Sequence, residues 1–316
     1  MDSTILSVCL ITYNHVNYIQ QSIEGILMQK VNFRWKLIIA DDFSTDGTRE
    51  VIQEYKNKYP DFLTLILQKR NVGALKNWID LISYPQSKYI VYFEGDDYWT
   101  DPHKLQKQVD FLEANPEYSL CTHLYKTYDD ATQIWTEDPK HVLFKDEHTA
   151  GITFGNDTNF STTWFTQTMT IVFRRDAIDL SILNRYKYTR DVHLYYHLLK
   201  AGKGYCLNFE GAVYRFHEGG IYSKTSLNSK NFINYKIFSE LYSFNPDDGM
   251  LKNNYLFLRK LVLDAIRDAI HDRQFSKDVS NKLSFFIKNE YKINGIKSVV
   301  YYLPRIIFSI FAPRKK

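Results

Sequence analysis

The sequence lacks every glycine-rich motif that commonly cradles phosphate groups. Neither the dinucleotide pattern GxGxxG nor the P-loop pattern GxxxxGKS/T occurs in its 316 residues. If a nucleotide binds, something other than a glycine-rich loop has to neutralise its phosphates. Net charge is scarce too: 40 Lys and Arg against 36 Asp and Glu leave a formal charge of +4, which is too weak to indicate a nucleic-acid partner.

Cysteine is also rare. The three cysteines, Cys9, Cys121 and Cys206, are far apart and form no CxxC pair. Their number and spacing argue against a disulfide framework and indicate free thiols in a reducing compartment, so we expect a cytoplasmic protein. No basic region precedes the first apolar run, residues 5–11, which therefore predicts a strand and not a secretory signal.

What the sequence does contain is the composition of an ordinary globular protein, 44% hydrophobic and 24% charged, with aromatics at 16%. Apolar strand-like segments alternate with amphipathic helical segments in its first part. Strands are predicted at 5–11, 35–40, 62–67 and 89–93, and helices at 18–28, 48–59 and Ala74–Ser83. This alternation predicts an α/β fold with a mostly parallel sheet flanked by helices, whose loops after the strands meet along one edge.

The pattern changes twice further along the chain. A mixed region follows, with a strand at 168–173, a helix at Asp191–Ala201, a strand within 205–214 and a polar, aromatic excursion at 127–164. After this region, apolar residues repeat at helical spacing over 251–270, and another helix starts near 283–287. We therefore predict one domain at 1–222 and a helical C-terminal region at 223–316.

The most informative segment is Glu94-Gly95-Asp96-Asp97, which follows the predicted strand at 89–93. Two adjacent acids at the end of a buried strand repel each other, and the fold gains nothing obvious from them. A divalent cation would remove that repulsion and give the pair a task. Because ligands of α/β proteins bind at this end of the strands, Asp96 and Asp97 mark the predicted centre of the chemistry.

Polar residues also end the first two predicted strands. Thr12-Tyr13-Asn14 can hold a base or a ribose, or simply form a turn into the next helix. Asp41 and Asp42 precede Ser44 and Asp46, and helix capping accounts for the latter two without explaining the adjacent acids. A carboxylate at this position can accept a hydrogen bond from a nucleobase.

Five segments, taken in order, resemble the inverting glycosyltransferases of family 2, which have the GT-A fold. They are 7–14, 40–48, Asn71-Val72-Gly73, Glu94-Gly95-Asp96-Asp97, and Arg190-Asp191 with a later His217. The resemblance covers residues 3 to about 222 and implies a nucleotide-binding half at 1–120 and an acceptor half at 121–222. It implies transfer of a sugar from a nucleoside diphosphate sugar, with UDP favoured, to a glycan or lipid-linked saccharide of the bacterial cell surface.

The resemblance also implies roles for single residues. Asp42 would pair with the base beside Thr12, Tyr13 and Asn14, Asn71 and Gly73 would close over the nucleotide, Lys76 would approach the phosphates, and Asp96 would face the ribose. Asp97 and His217 would hold a divalent cation, Mn²⁺ or Mg²⁺. Such a cation would neutralise the phosphates in place of the glycine-rich loop that the sequence lacks.

Asp191 stands where the family has its catalytic base, a carboxylate that removes the proton of the acceptor hydroxyl. Its neighbour is Arg190, whereas most relatives have Glu there. An Asp at a helix N-terminus is also an ordinary cap, and that interpretation stays open. The acceptor site is expected on the strand at 168–173 and just before it. The residues expected to form it are Trp164, Thr168, Met169 and Thr170, with core packing as the alternative role.

Two rival functions stay open. Nucleotidyl transfer normally uses a glycine-rich, basic loop near the N-terminus, where this chain has Thr12-Tyr13-Asn14-His15 instead. A sugar-nucleotide or glycan-binding protein without catalysis would fit the change at Arg190.

The apolar tail at 296–312 is interrupted by Pro304 and Arg305, which argues against a transmembrane span. Its basic end, Arg314-Lys315-Lys316, predicts a helix that lies on the inner face of the plasma membrane. The alternative is a helix packed back on the catalytic domain.

Overall fold

The computed structural model describes residues 4–144, 146, 148–220, 225–272 and 276–311, apart from the side chains of 305 and 307–311. The chain divides into two compact units, Met1–Gly220 and Ile221–Lys316. The predicted boundary at 222 and the basic end at 314–316 both lie outside the described residues.

The first unit begins with alternating strands and helices. They are β1 (Leu6–Thr12), α1 (Ile19–Leu27), β2 (Trp35–Asp41), α2 (Thr48–Lys58), β3 (Leu63–Leu67), α3 (Ala74–Ser83) and β4 (Tyr89–Glu94). All seven predicted elements are present, and each end lies within one residue of the prediction. They were predictable because the strands are continuous apolar runs and each helix carries an apolar stripe.

The rest of this unit is more irregular. It contains β5 (Tyr98–Trp99), α4 (Lys104–Ala114), β6 (Tyr118–Asp129), β7 (Ile134–Glu137), β8 (Gly151–Phe154), α5 (Asn156–Ser161), β9 (Val172–Arg174), α6 (Asp191–Ala201) and β10 (Lys203–Phe216). The prediction of one strand at 168–173 is wrong. Thr168–Thr170 forms a 3₁₀ turn before β9, held by hydrogen bonds from the Trp99 indole to the Met169 carbonyl and from the Thr170 hydroxyl to the Gln167 carbonyl.

Within the described residues, ten strands form one sheet in the order β3-β2-β1-β4-β9-β6-β10-β5, with β7 beside β6 and β8 beside β10. The first four strands all pair in parallel, as predicted. Beyond β4 the pairing is mixed, because β9 runs antiparallel to both β4 and β6 while β10 runs parallel to β6. The prediction of a mostly parallel sheet therefore holds for the first half only.

Helices cover both faces of the sheet. Alternate side chains of β1 point to opposite sides, so Val8 and Leu10 join a core with α1, α2 and α4, while Cys9 joins a second core with α3 and α6. This layering leaves the carboxyl ends of β1, β2 and β4 side by side at one open edge.

The second unit is helical, as predicted. It contains α7 (Leu227–Phe244), α8 (Gly249–His271), α9 (Lys277–Asn294) and α10 (Ile296–Phe311). The buried carboxylate of Glu290 accepts hydrogen bonds from the hydroxyls of Tyr235, Tyr255 and Ser298, which tie these helices together. Among the described residues, no helix combines the length and the apolar character needed to cross a membrane.

Candidate active site

The end of β4 carries an acid turn, which we define as Glu94 to Asp97. Gly95 suits this turn because a Cβ atom there would lie 3.1 Å from the Thr12 hydroxyl oxygen and 3.1 Å from His15 Nδ1, so both side chains would have to move slightly. The Ser22 hydroxyl donates hydrogen bonds to the carbonyls of Gly95 and Asp97. The loop after β1 and the start of α1 therefore press against the turn and fix its path.

Within the described residues, two carboxylate oxygens of the acid turn are buried and accept no hydrogen bond: Oδ1 of Asp96 and Oδ2 of Asp97. The other oxygen of Asp97 accepts the backbone N–H of Arg215 at 2.9 Å, and the other oxygen of Asp96 contacts His217 Nε2 at 3.0 Å. Buried polar atoms without a partner are costly and rare, so these two oxygens indicate a missing ligand.

The carboxylates of the acid turn oppose one another's ionisation. Burial, reinforced by the charges of Asp96 and Glu94, raises the pKa of Asp97 well above its usual value. Burial, Asp96 and Asp191 together raise the pKa of Glu94 to about 8. Burial also opposes ionisation of Asp96, but the His217 hydrogen bond and the nearby His15 outweigh it and lower the pKa of Asp96. Arg215 acts in the opposite direction on the pKa of Asp97 without cancelling its rise, so the three carboxylates are not all ionised without a further positive charge.

The acid turn fits a divalent cation. One ligand oxygen from each of Glu94, Asp96 and Asp97 lies within 4.8 Å of the others. Oxygen ligands suit Mg²⁺ and Mn²⁺, and the two unpartnered oxygens would gain the partner that they lack. Glu94 was not expected in this cluster, because the family resemblance implied Asp97 and His217 as the ligands and the charge argument concerned only Asp96 and Asp97.

His217 lies at the acid turn, as the sequence predicted, but it contacts Asp96 and not Asp97. The Gly219 N–H donates to His217 Nδ1 at 3.2 Å, so a neutral ring carries its proton on Nε2 and donates it to Asp96. His15 Nε2 stands 3.9 Å from the same carboxylate. The geometry thus favours His217 as the group that orients Asp96, which differs from the predicted pairing with Asp97 around a cation.

The loops after β1 and β2 are hydrogen-bonded to each other. The Asn14 N–H donates to the Ser44 hydroxyl at 2.9 Å, and the Thr45 N–H donates to Asn14 Oδ1 at 2.9 Å. Asn14 has a positive φ of 55°, which asparagine tolerates better than most residues. Tyr13 is exposed, while Thr12 is buried beneath Gly95 with its hydroxyl oxygen unpartnered among the described residues.

Asp42 does not face an open pocket. Its two oxygens accept the N–H groups of Val72 at 2.7 Å and Gly73 at 3.0 Å, and only 2% of the residue is exposed. Its carboxylate therefore shapes the Asn71–Gly73 loop, and the pairing of Asp42 with the nucleobase, which this burial does not favour, stays a prediction. Exposed aromatic rings at the same edge come from Tyr13 and Phe43, and Phe43 is a residue that the sequence did not single out.

Lys76, which is predicted to approach the phosphates, pairs with a carboxylate of its own helix. Its ammonium pairs with Asp80 one helical turn further along α3, and the side chain is largely exposed. Asn71 is exposed and its Oδ1 accepts the Gly73 N–H at 3.1 Å, which helps to hold Gly73 at a positive φ of 89°. Together with the two hydrogen bonds to Asp42, this contact defines the path of the loop.

Asp191 lies close enough to the acid turn to raise the pKa of Glu94. It is the first residue of α6, and one of its oxygens accepts the Val192 N–H at 2.9 Å. Burial raises the pKa of Asp191 above its usual value, although Val192 and Arg190 act in the opposite direction. A carboxylate with a raised pKa is a better proton acceptor than an exposed one.

Only part of the predicted acceptor surface is accessible. Met169 and Thr170 have no exposed surface, so the prediction that they contact an acceptor is corrected. Thr168 donates a hydrogen bond to Glu94 at 3.3 Å, which places it at the rim of the acid turn. Trp164 is 37% exposed and packs edge-on against Tyr195. Burial, together with the charges of Asp191 and Glu94, raises the pKa of Tyr195, so both carboxylates lie near its hydroxyl.

Comparison with known proteins agrees with this geometry. The family model described as "Glycosyl transferase family 2" matches residues 7–180. An uncharacterised protein of Mycobacterium tuberculosis is 33% identical over 234 residues, covering 72% of this chain and 63% of its own length. The chain thus spans less than two thirds of that relative. A further relative, the Escherichia coli enzyme WfgD, named as a UDP-Glc:alpha-D-GlcNAc-diphosphoundecaprenol beta-1,3-glucosyltransferase, is 29% identical over 36% of this chain and 44% of its own.

Solved structures show the same fold. Staphylococcus aureus TarS, residues 1–349 with UDP-GlcNAc, matches with a TM-score of 0.62 at 15% identity, covering 97% of this chain and 89% of that one. A mannosyltransferase from Pyrobaculum calidifontis, with GDP-Man and Mn²⁺, matches with a TM-score of 0.54 at 14% identity, covering 98% and 88%. From the family match over more than half of its length, this chain belongs to glycosyltransferase family 2, and its fold is GT-A.

Proposed function

We propose that this protein is an inverting glycosyltransferase that moves a sugar from a nucleoside diphosphate sugar to an acceptor hydroxyl. The observation that carries the proposal is the pair of unpartnered carboxylate oxygens in the acid turn, with Asp191 near enough for its charge to raise the pKa of Glu94. Neither feature alone defines the activity. Together they offer a place for a diphosphate and a base for a hydroxyl within one edge of the sheet.

Different residues of the chain have different roles in this reaction. Asp191 takes the proton of the acceptor hydroxyl, whose oxygen forms the new bond to the anomeric carbon while the bond to the diphosphate breaks on the opposite face. Thr12, Tyr13, Asn14 and the Asn71–Gly73 loop border the nucleotide, and Lys76 is free to approach its phosphates by a change of rotamer. Asp96 faces the ribose side, and His217 holds its orientation.

Asp96 and Asp97, with Glu94 beside them, would hold a divalent cation, Mn²⁺ or Mg²⁺. When bound, it would supply the positive charge that stabilises a departing diphosphate. This assignment extends the sequence-based pair of Asp97 and His217. His217 would join the cation only by giving up its hydrogen bond to Asp96.

The donor is proposed to be a UDP-sugar and the acceptor a glycan or a lipid-linked saccharide at the inner face of the plasma membrane. UDP-GlcNAc is bound in the TarS structure and UDP-Glc is in the name of WfgD, although the mannosyltransferase structure holds GDP-Man. WfgD is also named for a diphosphoundecaprenol acceptor. Trp164, which is exposed, would contact such an acceptor, and the buried Thr168 lies beneath it at the rim of the acid turn, hydrogen-bonded to Glu94.

Asp191→Asn tests the proposal. Transfer of labelled sugar to a bacterial membrane extract should fall by about a hundred- to ten-thousand-fold, the usual worth of a general base. The thermal shift given by UDP with Mn²⁺ should be kept, because the donor site is intact.

Asp179→Asn is the matched control, since Asp179 caps a 3₁₀ turn by accepting the Ser181 N–H and lies on the surface. Equal losses in the two variants would show that the loss is not specific to Asp191 and would contradict its role as the base; a cap is not the alternative, because Arg190 occupies the N-cap position of α6. Unchanged transfer in Asp191→Asn would instead favour a protein that binds sugar nucleotides without catalysis.

A further inference from the structure

The last helix of the second unit has two unlike faces. Ser298 donates a hydrogen bond to the buried Glu290 at 2.6 Å, the Tyr302 ring packs against Phe286, and Ile306 is buried. These residues attach α10 to α8 and α9. The inner face of this helix is therefore already occupied within its own unit.

The outer face of α10 is apolar and open. Ile296, Val300 and Leu303 are 60%, 64% and 38% exposed. Their spacing of four and then three residues places them in one stripe along the helix. Tyr301 is exposed beside the stripe at 52%. A row of aliphatic side chains in water is unfavourable, and such contiguous patches commonly mark a surface that meets a partner.

Charge indicates which partner. From Tyr291 to the last residue the chain contains no acidic residue and six basic ones: Lys292, Lys297, Arg305, Arg314, Lys315 and Lys316. The whole chain has a formal charge of only +4, so its positive excess is concentrated in this segment. An apolar stripe within a basic segment of the chain is complementary to a lipid bilayer with anionic headgroups.

Pro304 favours a position of α10 on the surface of a bilayer over one that crosses it. Because proline has no N–H, the Val300 carbonyl receives no hydrogen bond from residue 304 within the helix. That carbonyl needs water, which the headgroup region supplies and the hydrocarbon core does not. A helix of 16 residues is also about 24 Å long, shorter than the hydrocarbon core.

We infer that the Ile296–Val300–Leu303 stripe of α10 docks on an anionic bilayer surface, with Lys292 and Lys297 at the headgroups. This inference identifies the docking surface behind the proposed membrane location. It rests on that location and not on the catalytic chemistry, so the two can fail separately.

Vesicle sedimentation of the full chain tests the inference. Vesicles of equal parts phosphatidylglycerol and phosphatidylcholine should bind the protein at least about tenfold more tightly than pure phosphatidylcholine, and about 0.5 M salt should weaken this binding. The double change Val300→Glu with Leu303→Glu should lower binding to the anionic vesicles by at least about tenfold.

The matched control is Ile134→Glu with Trp135→Glu, which replaces two exposed apolar residues of β7 by the same charges. Equal losses in the two double variants, or equal binding to both kinds of vesicle, would overturn the inference. So would a concentration-dependent dimer of the native chain that the α10 variant abolishes, because the stripe would then belong to a second copy. The UDP and Mn²⁺ thermal shift should be the same in all variants, which separates this test from that of the proposed function.

Discussion

Asp41 is the last residue of strand β2 and Asp42 follows it, while Asp96 and Asp97 follow the end of β4, so adjacent acids occur at two places on the same sheet edge. Every carboxylate oxygen of the first pair accepts a hydrogen bond. Asp41 accepts hydrogen bonds from Ser44 and Arg49, and Asp42 accepts two backbone N–H groups. In the part of the chain that the structure describes, the second pair keeps one unpartnered buried oxygen on each carboxylate.

This difference shows that two adjacent acids at the end of a strand can have either of two roles. A carboxylate whose oxygens all accept protein donors stabilises a loop, because removing it leaves buried N–H groups without a partner. A buried carboxylate oxygen without a donor destabilises the fold, and such atoms are concentrated where proteins bind ligands. The first pair therefore shapes its own loops, and the second pair is the one that we propose to hold a cation.

The sharpest test of this comparison is the substitution of one member of each pair by asparagine. Asp97→Asn should lower sugar transfer by about a hundred- to a thousand-fold, because the site loses a charge that holds the cation. It should also remove the extra thermal stabilisation that Mn²⁺ gives in the presence of UDP. The free energy of unfolding without cation should stay the same or rise, since repulsion with Asp96 and Glu94 is relieved. A variant that keeps cation-dependent donor binding and transfer would contradict the comparison.

Asp42→Asn should show the opposite behaviour. An amide keeps one acceptor oxygen but turns an N–H donor toward the Val72 or Gly73 N–H, so the free energy of unfolding should fall by about 1.5–3 kcal/mol. Chemical denaturation followed by circular dichroism measures this change. Retained stability together with a loss of base selectivity among UDP, GDP and dTDP would restore the direct role in base recognition that the structure argues against.

The smallest expected effect concerns pH. The pKa of Glu94 is raised from 4.5 to about 8, so without cation the folded state binds more protons than the unfolded state between these values. Its contribution to stability is therefore greatest below about pH 4.5 and is lost as pH rises to about 8. Cation binding needs the ionised carboxylates, so apparent Mn²⁺ affinity should rise by up to about tenfold per pH unit.

Calorimetric titration of Mn²⁺ at about pH 5.5 and about pH 7.5 measures this rise. Asp42→Asn should show the same pH dependence as the native chain, because its carboxylate lies outside the acid turn. Affinity that is flat across this range would mean that the acid turn does not take up the cation.

Much of this arrangement was readable from sequence. The seven elements up to β4 were predictable because buried parallel strands are continuous apolar runs and their helices are amphipathic. Asp96, Asp97, Asp191 and His217 were placed at one site by the order of the motifs. The turn at Thr168–Thr170 was not predictable, because its hydrogen bond from Trp99 joins residues 70 positions apart.

The linear sequence determined which acids follow which strands, and with them the family and the edge of the sheet where chemistry is expected. It could not determine which of those acids are satisfied. Asp42 is buried under N–H groups from residues 30 and 31 positions away, while Asp96 meets a histidine 121 positions away. Only the packed chain decides such pairings, because hydrogen bonding depends on distance in space and each donor can satisfy only the oxygens that folding brings to it.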